Sequence, residues 1–180
     1  MPNWCANELH IVGDEKVVKK FLKAVKDKKE DLLISFEKLC PISDPENWYN
    51  ERIAKWGTKW EPCGFTVYQD DPDHYVIGMS TAWDSPAGVL PVWAKKFPQL
   101  EFLMMSFEGG CGFWKTQYCK GEDCRLIAGD INYEEIKDDP DYCYKITNND
   151  EIKKESVSIV PEHLREEVLP FWYFYCDEKI

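Results

Sequence analysis

Two tryptophans four residues apart, Trp56 and Trp60, enclose Gly57, Thr58 and Lys59 in the run WGTKW. Indoles beside a lysine have two uses. They form a stacking platform that holds an anion or a base, as in proteins that bind single strands. Alternatively they bury themselves and plug the open face of a sheet, with Trp4 and Trp83 packed beside them. Asp84 and Glu108 each end a strand-like run, and Asn7 opens one. Carboxylates gathered at strand ends can hold a metal or work as acid and base. Turns also favour such residues simply because they are solvated there. The candidate binding set is therefore Trp4, Asn7, Trp56, Lys59, Trp60, Trp83, Asp84 and Glu108.

Other reactive residue types fall in patterns that carry less chemistry. Cys111, Cys119, Cys124 and Cys143 are separated by 7, 4 and 18 residues. These gaps are not the paired C-x2-C knuckles of a four-thiolate zinc site, so free thiols packing as small apolar groups are expected. Gly109-Gly110-Cys111-Gly112 runs into Phe113-Trp114, whereas a phosphate cradle needs a helix N-terminus after its glycines. His10, His74 and His163 fall in a strand, a turn and a helix, and none accompanies a nucleophile in a recognisable motif. No catalytic residue, metal or cofactor is expected.

The elements that must position the candidate residues follow from apolar spacing and punctuation. Glu8 to Gly13 reads as a strand. Asp14 then caps a helix with Val17, Val18, Phe21, Leu22 and Val25 on one face. Leu32 to Phe36 reads as a short strand, and a short helix around Trp48 to Lys55 stops at Gly57. Phe65 to Gln69 and Tyr75 to Thr81 form a hairpin about an Asp- and Pro-rich turn. Ser85-Pro86 introduces a helix whose true start Pro91 shifts inward, with Val89, Trp93 and Phe97 on one face. Leu100 to Phe107, nearly all apolar, suits a central strand. Phe113 to Cys119 and Arg125 to Ala128 make a further antiparallel pair. Glu134 to Ser156 is polar and reads as a loop-rich annex. A helix over Pro161 to Leu169 is stopped by Pro170. The five aromatics Phe171 to Tyr175 then form an edge strand, pack into the core, or stay exposed as an interface. The order approximates a split βαββαβ arrangement, an α+β antiparallel sheet with helices on one face, if one hairpin strand is counted as an addition.

The 180 residues suit one domain. A net charge of −11 disfavours gripping nucleic acid, which calls for a positive surface. It solubilises the protein and draws basic partners. The opening has neither a basic nor an apolar signal region, and no apolar run is long enough to cross a bilayer. A cytoplasmic protein whose 8 cysteines are mostly thiols is expected.

Met1-Pro2-Asn3-Trp4-Cys5-Ala6-Asn7, followed by Leu9-His10-Ile11-Val12-Gly13, resembles the opening of the YubB-type ferredoxin-like family of plasmids and bacteriophages. Three later blocks fit the same pattern. They are Trp56 to Trp60, then Ser80-Thr81-Ala82-Trp83-Asp84-Ser85-Pro86, then Phe97-Pro98 with the strand ending at Glu108. The resemblance covers residues 1–121 and leaves 122–180 as a C-terminal extension packed on the same domain. It implies a ferredoxin-like fold and carries no established activity. With the charge, it leads to the expectation of a non-catalytic acidic interaction protein of a mobile genetic element. Such a protein would bind and inhibit a basic host defence factor or nuclease. Two alternatives stand beside it. One is a small-ligand or nucleotide site built on Trp56, Lys59 and Trp60, and the other is a single-strand binder using an aromatic sheet face. Oligomeric state is left open.

Overall fold

The computed structural model describes residues 3–135 and 144–177. Strand β1 (Trp4–Val12) is longer than its apolar run, because alternation continues through Cys5 and Asn7. Its odd positions Cys5, Asn7, Leu9 and Ile11 are buried on one face, and Glu8 and His10 point to the other. Asp14 caps α1 (Glu15–Val25) by accepting from the Lys16 amide at 2.9 Å, and Val18, Phe21 and Val25 are buried beneath it. The chain continues through α2 (Phe36–Leu39), α3 (Trp48–Trp56), β2 (Cys63–Asp70), β3 (His74–Ala82), α4 (Val89–Lys96) and β4 (Glu101–Glu108). A hairpin of β5 (Phe113–Lys120) and β6 (Asp123–Asp130) follows.

These strands form one sheet in the order β2-β3-β1-β4-β5-β6, with every neighbouring pair antiparallel. The fold is α+β and ferredoxin-like. The expected strand over Leu32–Phe36 is absent: only an isolated Asp27–Leu32 bridge forms, and Phe36 instead begins α2. The cause is tertiary. The Glu61 carboxylate accepts from the Ser35 hydroxyl (2.9 Å), the Phe36 amide (2.7 Å) and the Glu37 amide (3.0 Å), capping a helix start. Both hairpin strands therefore belong to the split unit, and β5 and β6 extend it beyond β4.

The helices of the split unit cover one face, where Phe21, Phe36, Trp56, Trp93 and Phe102 meet in a buried core. The chain after β6 returns across the opposite face as β7 (Tyr133–Glu135), β8 (Tyr144–Ile146), α5 (Asn149–Ser158) and α6 (Arg165–Asp177). The region read as a loop-rich annex thus holds a two-stranded ladder and a helix, and Cys143 lies outside the described residues. The aromatic run is helical, and Pro170 lies inside α6 instead of ending a helix. Val168, Phe171, Trp172 and Tyr175 share one helical face against Leu103, Met105, Phe107 and Trp114. Tyr175 stacks on Phe107 with ring centroids 4.9 Å apart. Burying rings of this size is worth about 1.5–3 kcal/mol each, enough to outweigh the roughly 3 kcal/mol cost of an interior proline. Among the described residues no helix is long and apolar enough to cross a membrane.

Candidate functional site at the tryptophan end of the sheet

The end of the sheet where β1 begins and β3 and β4 finish gathers the Trp4 to Asn7 opening, the Trp56 to Trp60 run, the Ser80 to Pro86 block and Glu108, whereas Phe97-Pro98 lie before the start of β4 at the opposite end. Helix α3 ends in Gly57, whose φ of +89° is left-handed. A Cβ there would lie 2.7 Å from the Ser85 carbonyl oxygen, so glycine is required twice over. Across from it, a Cβ on Gly88 would lie 2.2 Å from the Lys55 carbonyl oxygen, and the Gly88 amide donates to the Trp56 carbonyl at 3.1 Å. The two loops therefore dock backbone against backbone. The Thr58 hydroxyl donates to the Ala82 carbonyl at 2.9 Å, and the Trp83 amide donates to the Asn3 carbonyl at 2.8 Å. Asn3 in turn donates to Cys111 Sγ at 3.5 Å, bringing in the turn that follows Glu108.

The four tryptophans of the candidate set divide into two kinds. Trp56 is fully buried, packs edge-on against Phe36, and donates its indole N–H to the Cys40 carbonyl at 2.7 Å. It is a core residue. Trp60 lies between Trp4 and Trp83, with ring centroids 6.4 and 6.2 Å away. Trp4 and Trp83 keep 46% and 41% of their surface exposed. The row sits at the end of the sheet, not on its open face. Lys59 Nζ stands 4.5 Å from the Trp60 ring centroid, 4.8 Å from that of Trp83 and 5.5 Å from that of Tyr49, a cation held over three rings. Trp83 also has a φ of +69°. Bulky side chains avoid this conformation, and holding one there costs on the order of 1–3 kcal/mol.

The polar members of the set are tied into the frame. The Asn7 carboxamide donates to the Cys5 carbonyl (3.0 Å), the Met79 carbonyl (3.3 Å) and Thr81 Oγ1 (2.9 Å), and it accepts from the Ser106 hydroxyl (2.8 Å). Its two N–H groups and its oxygen are all engaged, so it pins β1 to β3 and β4. Asp84 accepts from the Ser85 amide at 2.6 Å and pairs with the Lys115 ammonium. Glu108 departs from the expected solvated turn carboxylate: it is only 2% exposed, because its two oxygens accept the Gly110 amide (2.9 Å) and the Cys111 amide. Burial, followed by the charge of Asp84, pushes the Cys5 thiol well above its ordinary range, so it stays a thiol. The arrangement can hold a surface rigid and offer rings to a partner.

Lys115, Thr81 and Ser106 belong to this frame and lie outside the candidate binding set. A signal existed: Thr81 and Ser106 are hydroxyl residues at inward positions of otherwise apolar strands. Of the four cysteines considered for zinc, Cys111 and Cys124 are exposed and Cys119 is buried, all as free thiols. Trp60 also walls an open groove with Asp27, Glu30, Glu37, Arg52 and Glu61. Burial raises the Glu61 carboxyl above its usual range.

No protein-family model matches the chain. No curated protein matches it. Among solved structures, the fold is similar to that of the protein Api92 from Yersinia pseudotuberculosis, family-model DUF1281. The likeness has a TM-score of 0.56 and covers 73% of this chain and 99% of that one. At 8% sequence identity it is a likeness of fold alone.

Proposed function

We propose that the protein is a non-catalytic interaction module that recognises a basic protein through Trp4, Trp60, Trp83 and Lys59. The observation that carries this reading is Trp83, an exposed indole held in a left-handed backbone conformation. A fold gains nothing by straining its backbone to present an apolar ring to water. A recognition surface does, since tryptophans are the commonest anchors of protein interfaces. The net charge of −11 steers a basic partner towards the molecule, and the rings supply the contact once it arrives. The resemblance to the YubB-type family gives the setting: the cytoplasm of a bacterium carrying a plasmid or phage. The target there is a host defence factor, such as a nuclease with a basic groove, which the module inhibits by occupying that groove.

The small-ligand reading is weaker because the groove beside Trp60 sets four carboxylates against Arg52, an environment that repels phosphate. The single-strand reading needs an open aromatic sheet face, and α5 and α6 pack against one face over β4 to β6.

The test is capture from a bacterial lysate on immobilised protein, eluted by a salt gradient, with Trp60→Ala and Trp83→Gly in parallel. The expected result is a host protein that wild type retains at low salt and releases at high salt. Each variant should bind it about 30-fold more weakly, the equivalent of about 2 kcal/mol per anchor. Equal retention by the variants, or no retained protein, would sink the proposal.

A further inference from the structure

The outward face of β1 carries a second constellation, independent of the tryptophan row. His10 is buried at 2% exposure, and its Nε2 lies 3.0 Å from a carboxylate oxygen of Glu8, two residues back on the same face. A carboxylate only accepts, so Nε2 carries a hydrogen, and in the neutral ring Nδ1 carries the lone pair. That lone pair faces Nε2 of His74, at the start of β3, across 3.0 Å. Helix α6 passes over the pair and contributes Glu167. One ligand atom each from His10, His74 and Glu167 lie within 4.8 Å of one another.

From these positions we infer that His10, His74 and Glu167 form a binding site for a divalent transition-metal ion of the zinc type. Three features support it. Two imidazole nitrogens and a carboxylate oxygen are the donors that zinc takes, with a fourth, tetrahedral place left for water. Two nitrogens at about 2.0–2.1 Å from one tetrahedral ion stand about 3.3 Å apart, so the observed pair needs to open by only a few tenths of an ångström. Glu8 supplies what a metal-bound histidine ordinarily has, a carboxylate on its other nitrogen that fixes the tautomer and makes the ring a better donor. Without the ion, a proton on His74 Nε2 bridges to His10 Nδ1. With it, a dication offsets the charge of both carboxylates. His74 and Glu167 are half-buried, which leaves the ion a way in.

The ligands come from β1, β3 and α6, separated by up to 157 positions in sequence (His10 to Glu167). A bound ion therefore ties the helix of the far end of the chain to the centre of the sheet.

The test uses the whole protein, stripped of metal with a chelator and kept reduced without thiols. Zinc chloride is titrated against a competing chromophoric chelator, and melting is followed with and without zinc. The expected result is one ion per chain and a raised melting temperature. His74→Gln and Glu167→Gln should each weaken binding at least about 100-fold and abolish the melting shift, and Glu8→Gln should weaken it about 10-fold. Cobalt(II) in place of zinc should give the visible bands of a tetrahedral nitrogen and oxygen site. If His74→Gln unfolds the chain, Glu167→Gln on the helix surface decides alone. Absence of binding at micromolar zinc would overturn the proposal. So would undiminished binding by both variants, or thiolate charge-transfer bands from cobalt, which would place the ion at Cys119 and Cys124, paired across β5 and β6.

Discussion

The two faces of β1 hold polar groups under opposite rules. On the face turned to α1 and α4, Asn7 spends every hydrogen-bonding group it has on Cys5, Met79, Thr81 and Ser106. On the face turned to α6, His10 spends one nitrogen on Glu8 and aims the other at His74 and Glu167. Alternation along one nine-residue strand thus separates a clamp from a receptacle. Saturated groups in a dry interior fix geometry, because breaking one strands its partners. Groups whose lone pairs are bridged by a single proton, as those of His10 and His74 are, offer that place to a metal ion. The same contrast divides the tryptophans: Trp56 is used up in the core, whereas Trp83 is still on offer.

Substitutions that treat the two kinds alike would break this contrast, and the widest gap is between the tryptophans. Trp56→Ala should cost about 3–5 kcal/mol of stability, since it empties a fully buried site and leaves the Cys40 carbonyl unpaired. Trp83→Gly should change stability by less than about 1 kcal/mol, because relief of the left-handed strain offsets the lost ring contacts. Denaturant midpoints of the two variants measure the gap, and similar losses would erase the distinction. A smaller difference separates the faces of β1. Asn7→Ala, which leaves the Ser106 hydroxyl without its acceptor and the Met79 carbonyl and Thr81 oxygen without a donor, should cost about 1–3 kcal/mol. Metal-free Glu167→Gln should stay within about 0.5 kcal/mol of wild type.

The smallest effect is one of pH. Glu51 accepts from the Ser43 amide and hydroxyl, the Asp44 amide and the Lys55 ammonium. Pairing with Lys55, then Ser43, holds its carboxyl down to about 2, against an ordinary 4.5. A depressed carboxyl stabilises the fold fully above pH 4.5, and the contribution is lost as pH falls towards 2. Glu51→Gln should therefore show a flatter acid limb over that interval in a series of melts from pH 5 to about 2. A limb as steep as that of wild type would show that Glu51 is not held this way.

Local signals carried much of the fold. The Asp14 cap, the helical spacing of Val18, Phe21 and Val25, and the turn between β2 and β3 are each written within a few residues. The departures came where a distant residue decides. Leu32 to Phe36 has strand composition, but Glu61 organises its end into a helix. Phe171 to Tyr175 favours extended backbone by propensity, but only a helix puts Val168, Phe171, Trp172 and Tyr175 on the same wall. At the candidate site, Trp4, Trp60, Lys59 and Trp83 could be marked by type. That they meet depends on the register that sets Trp4 opposite Ala82, which no spacing along the chain discloses. His10 and His74, 64 positions apart, were legible only as two unrelated histidines for the same reason.

The strand order sets a timetable for assembly. Strand β1 lies between β3 and β4, so it cannot be completed until the chain has been made through Glu108. At about 5–20 residues per second, Leu9 and Ile11 wait several seconds or more for their β4 neighbours, Met104 and Phe102, while α1 and the β2–β3 hairpin form locally. Pairing across such separations is slow as well as late. Until β4 is made, the strand can pair with β3 on one edge and has nothing on the other. Five charged residues follow the strand closely, Asp14, Glu15, Lys16, Lys19 and Lys20, and charges that flank an apolar strand disfavour its pairing with neighbouring chains.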